Sequence, residues 1–202
     1  MHQELLKNLG AAAVFACCLA GPATAAGLLG ERYAALEYNQ IFTQSDRYEN
    51  GPGFALTYNH PLREGIDLGA SFTHSSYDGE RNDVADFSDQ RLQFMVTAFG
   101  LPELDRIWVR LGVGLGMVEN DDNDDTDGCL LGMIGTEYTL GPRAVLQPYV
   151  GWSDVFYDDE TTKFFYGAQV VMDVADTVGV NFKLEGDHEY NITLGIGVLM
   201  RF

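Results

Sequence analysis

Apolar residues occupy every second position at the end of the chain: Ile192, Leu194, Ile196, Val198, Met200 and Phe202. Between them stand Asn191, Thr193, Gly195, Gly197, Leu199 and Arg201, mostly small or polar. Alternation of period two sends successive side chains to opposite faces of a β-strand, so one face meets an apolar medium and the other does not. A soluble sandwich strand can be written that way, but it has no use for an aromatic ring beside the free carboxylate. A strand with one side against lipid does.

The other end of the chain fits export. Lys7 precedes an apolar stretch from Leu9 to Leu19, which runs into Gly21-Pro22-Ala23-Thr24-Ala25-Ala26. A basic residue, a short apolar core and a small-x-small site make a secretory signal peptide, expected over residues 1–25 with cleavage after Ala25 or Ala26. The stretch is shorter than the roughly 20 residues a spanning helix needs. Phe15 and Ala16 before Cys17 fit a lipidation site poorly, so Cys17 and Cys18 leave with the leader. Cys129 is then the one cysteine of the mature domain, 26–202, and no disulfide can form within it. Stability has to come from closing a sheet.

Turn signals divide the mature chain into ten alternating segments, each near the 9–11 residues of a tilted membrane strand. They cover 32–42, 53–60, 66–74, 90–99, 107–117, 128–140, 144–156, 163–174, 177–185 and the terminal strand. The fifth has Ile107, Val109, Leu111, Val113, Leu115 and Met117 on one face, with Trp108, Arg110 and glycines on the other. The sixth is apolar on both faces, and Glu137 is assigned to the inside on electrostatic grounds. Pro148 lacks a ladder donor and should mark a bulge or weak pairing. Short links at 61–65, 100–105, 141–143 and 175–176 alternate with longer acidic ones at 43–52, 75–89, 120–127, 157–162 and 186–190. The pattern predicts an all-β fold, an up-and-down antiparallel transmembrane β-barrel of ten strands, with eight as the alternative if hairpins have been over-split. The 23 glycines suit a tightly curved wall.

With its leader and its terminal strand, the chain resembles a small bacterial outer-membrane β-barrel of the general OmpA/OmpX kind. The resemblance is one of architecture. It implies a location in the bacterial outer membrane and contact with membrane lipid and lipopolysaccharide. It also implies that Leu194, Ile196, Val198, Met200 and Phe202 form an insertion signal read by the barrel-assembly machinery. A monomer is expected, and no cofactor.

With 30 acidic residues against 12 basic ones, the formal net charge is −18. Nucleic acid is excluded as the main partner, because its phosphates demand basic surface. The strand parity sends Glu37, Asp67, Glu137, Asp173 and Glu185 into the lumen together with Arg91, Arg110, Lys183 and Arg201. Unpaired charges there would cost several kcal/mol each, so an ion-pair network is expected. It would serve either as a plug or as the lining of a narrow channel for small solutes or cations. Aromatic girdles should collect at the two rims. Tyr33, Tyr58, Trp108, Tyr138, Tyr149 and Phe202 belong to one, and Tyr77, Phe87, Phe156, Tyr157, Phe164, Phe165 and Tyr190 to the other.

Three patterns carry possible chemistry. Asp121, Asn123, Asp125 and Asp127 lie in an acidic run ending at Gly128, whose oxygens could take a divalent cation. It imitates the start of an EF-hand loop, but the twelfth position is Ile134, and a solvated loop without a metal is the expectation. His74 and Ser76 share a strand face and resemble the His-x-Ser pair of outer-membrane lipid A deacylases. That resemblance would make Ser76 a nucleophile and His74 its base, with Asp78 or Glu80 to orient it. Asp187-His188 is similar to the acid–histidine chemistry of the omptin proteases, whose chains are much longer. The primary expectation is non-enzymatic: a barrel with a filled lumen and acidic surface loops, in a structural or surface-interaction role.

Overall fold

The computed structural model describes residues 27–44, 48–79, 86–101, 104–120, 123–155 and 162–202. They form the strands β1 (Tyr33–Phe42), β2 (Gly51–Arg63), β3 (Ile66–Tyr77), β4 (Phe87–Leu101), β5 (Leu104–Asn120), β6 (Asn123–Thr136), β7 (Tyr138–Gly141), β8 (Ala144–Val155), β9 (Lys163–Asp173), β10 (Val178–Asp187) and β11 (Ile192–Arg201). Each pairs antiparallel with its sequence neighbours except β6 and β7, which do not pair with each other; β1 also pairs with β11, and β6 with β8, so the ring closes. Closure pairs the staves around the ring, sparing them the penalty an apolar medium sets on exposed N–H and C=O groups; the short β7 is paired on one side, with β8. β6 and β7 are two halves of one stave, both seated on β8. The barrel has ten staves.

The break in that stave has a cause. Gly135 pairs with Tyr149 and Tyr138 with Leu146, so the register crosses the gap without a shift. Pro148 stands opposite the gap and has no N–H to donate. The result is a locally weak pairing and not a bulge. The bulge in this part of the wall lies instead between Thr139 and Gly141.

Several links are shorter than the residue pattern suggests. β2 runs through Pro61 to Arg63 with an irregularity there, leaving Glu64-Gly65 as the turn. Gly65 takes a φ of 77°, open to glycine at little cost. The acidic run expected as a loop at 120–127 is mostly strand. Val118 pairs with Asp125, Glu119 with Asp124 and Asn120 with Asn123. The 17 residues of β5 reach well beyond the roughly 25 Å apolar band of such barrels. The extended backbone of the projecting hairpin keeps its ladder to the tip.

Side-chain parity is clean across most of the wall. Leu36, Leu56, Phe94, Leu111, Val113, Leu115, Val150 and Val198 are exposed on the outside. Inside, Tyr33, Met95, Trp108, Val145, Tyr149 and Leu199 are buried among Glu37, Asp67, Gln93, Thr97, Gln147 and Asn181. The girdle expectation needs correction here. Tyr58, Tyr138 and Phe202 do lie exposed on the outer surface, but Tyr33, Trp108 and Tyr149 are buried. Lumen parity overrides the rim preference, because a barrel this narrow fills its interior with rings. Tyr77 and Phe87 also turn inward, and with Tyr48 they form a trio of tilted rings with mutual centroid distances of 5.6–6.4 Å. Phe156 and Tyr157 lie outside the described residues.

We term the rim bearing the start of β1 and the end of β11 proximal, and the opposite rim distal. Residues 27–31 fold back into the proximal mouth. Leu28, 5% exposed, packs there with Tyr33, Val145, Val171 and Leu199, closing the barrel with an apolar floor.

Candidate functional site, the barrel lumen

At mid-height Lys183 Nζ lies 2.7 Å from Glu37 Oε1. Asn181 Nδ2 donates to the second oxygen, Glu37 Oε2, at 2.5 Å. Close by, the Tyr149 hydroxyl donates to Glu185 Oε2 at 2.8 Å. Arg110 Nε donates to Thr97 Oγ1 at 2.9 Å, and its guanidinium carbon lies 5.3 Å from the Trp108 ring centroid. Together these side chains span the lumen, with Asn181 Oδ1 and Trp108 Nε1 buried and without a hydrogen-bond partner among the described residues.

Nearer the proximal rim, Arg201 Nη1 pairs with Asp173 Oδ1 at 2.5 Å. Asp67 and Glu137 are held differently, by neutral donors. Gly30 N and Asn59 Nδ2 donate to Asp67 Oδ2 at 2.9 and 3.0 Å. Leu28 N and Gln147 Nε2 donate to Glu137 Oε2 at 2.9 and 2.6 Å. Toward the distal rim Arg91 clasps Asp89 at 2.6 Å and donates to Ser153 Oγ at 3.3 Å. Two cavities of about 200 and 290 Å³ remain between these clusters, and Lys183 and Glu185 line both.

The contacts across the barrel depend on glycines. Glu37 and Asn181 lie two strands apart, and both pair in register with Gly197 of the strand between them. Two strand spacings are roughly 9.6 Å, a gap that side chains can bridge only if nothing rises from the middle. The same arrangement recurs three times. Tyr149 reaches Glu185 across Gly167. Gln93 reaches Cys129 Sγ, at 3.7 Å, across Gly114. Met95 and Leu131 close over Gly112, where a methyl group would sit 3.2 Å from both. Inward glycines are thus the gaps that let the lumen lock itself.

All nine charged residues expected inside therefore fall in or along the lumen, but the pairing differs from a full ion-pair network. Glu37 with Lys183 and Asp173 with Arg201 are ion pairs, while Asp67, Glu137 and Glu185 accept neutral hydrogen bonds. Sequence reasoning missed Asp89 as the partner of Arg91, having placed it in a loop. It also missed the part played by Asn59, Asn181, Gln147 and Tyr149. Period-two parity marks each of them as inward. What it lacks is the register that says which inward residues meet.

The other candidates lie apart from the lumen. His74 stacks on Phe54 at 5.2 Å on the outer wall, and among the described residues it makes no hydrogen bond with Ser76. Asp78 is exposed, and Glu80 lies outside the described residues. Asp187 organises its own turn, accepting from Glu189 N and Asn191 N at 2.9 Å each, while His188 Nδ1 accepts from Phe164 N at 3.2 Å. Asp127 Oδ1 accepts from Gly128 N at 2.6 Å. Asp121 lies outside the described residues, and among the described ones no cluster of acidic, histidine or cysteine side chains is arranged to hold a metal ion.

No protein-family model matches the sequence, and no curated protein matches it. Solved structures match it in fold. LpxR from Salmonella typhimurium superposes with a TM-score of 0.56 at 9% identity, over 84% of this chain and 100% of that one. The translocator domain of the autotransporter NalP from Neisseria meningitidis gives 0.51 at 13% identity, over 87% of this chain and 90% of that one. Ail, the attachment invasion locus protein of Yersinia pestis, is 17% identical over 86% of this chain and 99% of that one, with a TM-score of 0.42. Likeness at such identities concerns fold alone. The chain has the fold of a small outer-membrane β-barrel, closed and antiparallel.

Proposed function

We propose that this protein is a non-enzymatic, monomeric barrel of the bacterial outer membrane, whose lumen is a structural plug and whose acidic outer loops carry its contacts. The proximal rim then faces the periplasm, and lipid and lipopolysaccharide surround the apolar belt. The role is envelope integrity or surface interaction. The observation that carries this reading is the occluded lumen. The Glu37–Lys183–Asn181 and Tyr149–Glu185 contacts cross it at mid-height, and Leu28 with its neighbours fills the proximal mouth. A hydrolase would need a base beside Ser76, and His74 is stacked on Phe54 instead.

A second reading, a narrow cation channel, draws on one observation. Cavities of about 200 and 290 Å³ flank the Glu37–Lys183 pair and could hold water. Planar-bilayer conductance of the refolded protein separates the two, once heat-modifiable gel migration has established folding. Silence is expected; discrete steps that change on neutralising Glu37 or Arg110 would replace the plug by a pore.

A further inference from the structure

We propose that the α-ammonium group freed when the leader is removed pairs with Glu137, and that this ion pair latches residues 27–31 into the proximal mouth. The inference rests on export through the leader, and it does not depend on whether the lumen conducts.

The segment enters the mouth by specific contacts. Leu28 is buried in the apolar floor. Gly30 N donates to Asp67, and Asn59 Nδ2 donates to the carbonyl of Glu31 at 2.8 Å. At the head of the segment stands Gly27, so close to Glu137 that a methyl group on residue 27 would overlap Oε1. The backbone nitrogen of Gly27 is only two covalent bonds from that position, roughly 2.5 Å, which brings it within ion-pair reach of the carboxylate.

Among the described residues Glu137 has no counter-charge: no lysine, arginine or histidine forms an ion pair with it. Its two donors among the described residues, Leu28 N–H and Gln147 Nε2, are neutral and share Oε2. Asp173 and Glu37 each have a cation, whereas Glu137, like Asp67 and Glu185, is held by neutral donors. The oxygen left without such a donor, Oε1, is the one turned to Gly27.

Removal of the leader supplies the missing charge. A signal peptidase hydrolyses one peptide bond: water gives its hydroxyl to the departing carbonyl, leaving a carboxylate, and protons to the nitrogen. The new α-amine, with an unperturbed pKa near 7.7–8.0, is largely ammonium at neutral pH. Cleavage after Ala26 puts it on Gly27 itself. Cleavage after Ala25 puts it one residue, about 3.8 Å, further out along the chain. The unprocessed chain has only a neutral amide at this point, so the latch closes only on export.

Intact mass of the protein taken from outer membranes gives the first test, with a chain starting at Gly27 or Ala26 expected. A start beyond Leu28, or a retained leader, overturns the proposal. The second test compares the refolded mature chain with the same chain acetylated selectively at its α-amine, following urea unfolding by heat-modifiable migration. Acetylation should lower the folded-to-unfolded ratio at the original midpoint by about tenfold, the scale of a charge-assisted contact. Glu137→Gln should do the same, and acetylating that variant should add nothing. An unchanged midpoint in acetylated wild type, or an equal effect of acetylation in E137Q, overturns it. If E137Q does not fold, Glu137→Asp replaces it, with a reduced response to acetylation expected and an undiminished one counting against the latch.

Discussion

Glu37 meets Asn181 because residue 197 has no side chain. A Cβ at Gly197 would overlap Asn181 Oδ1 and lie 2.5 Å from the carbonyl oxygen of Leu36. The asparagine can swing aside, but the backbone of β1 at Leu36 cannot. Gly197→Ala is therefore expected to cost about 1–3 kcal/mol, the usual range for overpacking, seen as a lower urea midpoint. The ion pair beside it gives a sharper case. Lys183 and Glu37 side chains are 18% and 10% exposed, so removing one charge strands the other in a poorly solvated place. Lys183→Met should cost about 3–5 kcal/mol. Adding Glu37→Gln to that variant should restore a large part of the loss, since no bare carboxylate then remains. Additive losses in the double variant would show that the pair is not the source of the cost.

The strands show where sequence reading works and where it stops. Alternation alone identified ten staves and the inward set, because parity is a local property with a period of two. The inward positions of Tyr33, Trp108 and Tyr149 obey that parity, and a rim preference for aromatics misled only when it was set above it. The acidic hairpin at β5–β6 was hidden for another reason: composition says carboxylates belong in water, which holds equally for a loop and for a strand that outruns the membrane. Contacts such as Gln93 with Cys129 depend on the register of three strands, which no single segment contains. The terminal strand is the element most fully legible, and its last residue can be tested. Phe202 is exposed and its N–H donates to the carbonyl of Arg32 at 3.2 Å. Deleting it removes one hydrogen bond, worth about 1 kcal/mol, so refolding into detergent should be nearly unchanged. Assembly into the outer membrane of cells should fall sharply if the ring serves as an insertion signal; equal surface yield of deleted and intact protein would show that it does not.

Across the molecule, occlusion is built twice. Cys129 is buried and free, and no disulfide braces the wall among the described residues, so the contents of the lumen brace it from within. One barrier is the floor made by Leu28 on Tyr33, Val145, Val171 and Leu199; the other is the mid-height lock of Glu37, Lys183, Asn181, Tyr149 and Glu185. They differ in kind. The floor excludes water by apolar packing, whereas the lock fills space with paired polar heads and leaves cavities around itself. Two barriers in series mean that opening one should not open the path. A chain truncated to begin at Arg32 loses the floor and should still be silent in planar bilayers. Glu37→Ala with Lys183→Ala removes the lock while keeping the floor, and should also be silent. The combination is expected to conduct, with cation preference from the Glu185 carboxylate left behind. Steps from the truncated chain alone would make the floor the sole barrier, and the mid-height contacts would then brace the wall without closing it.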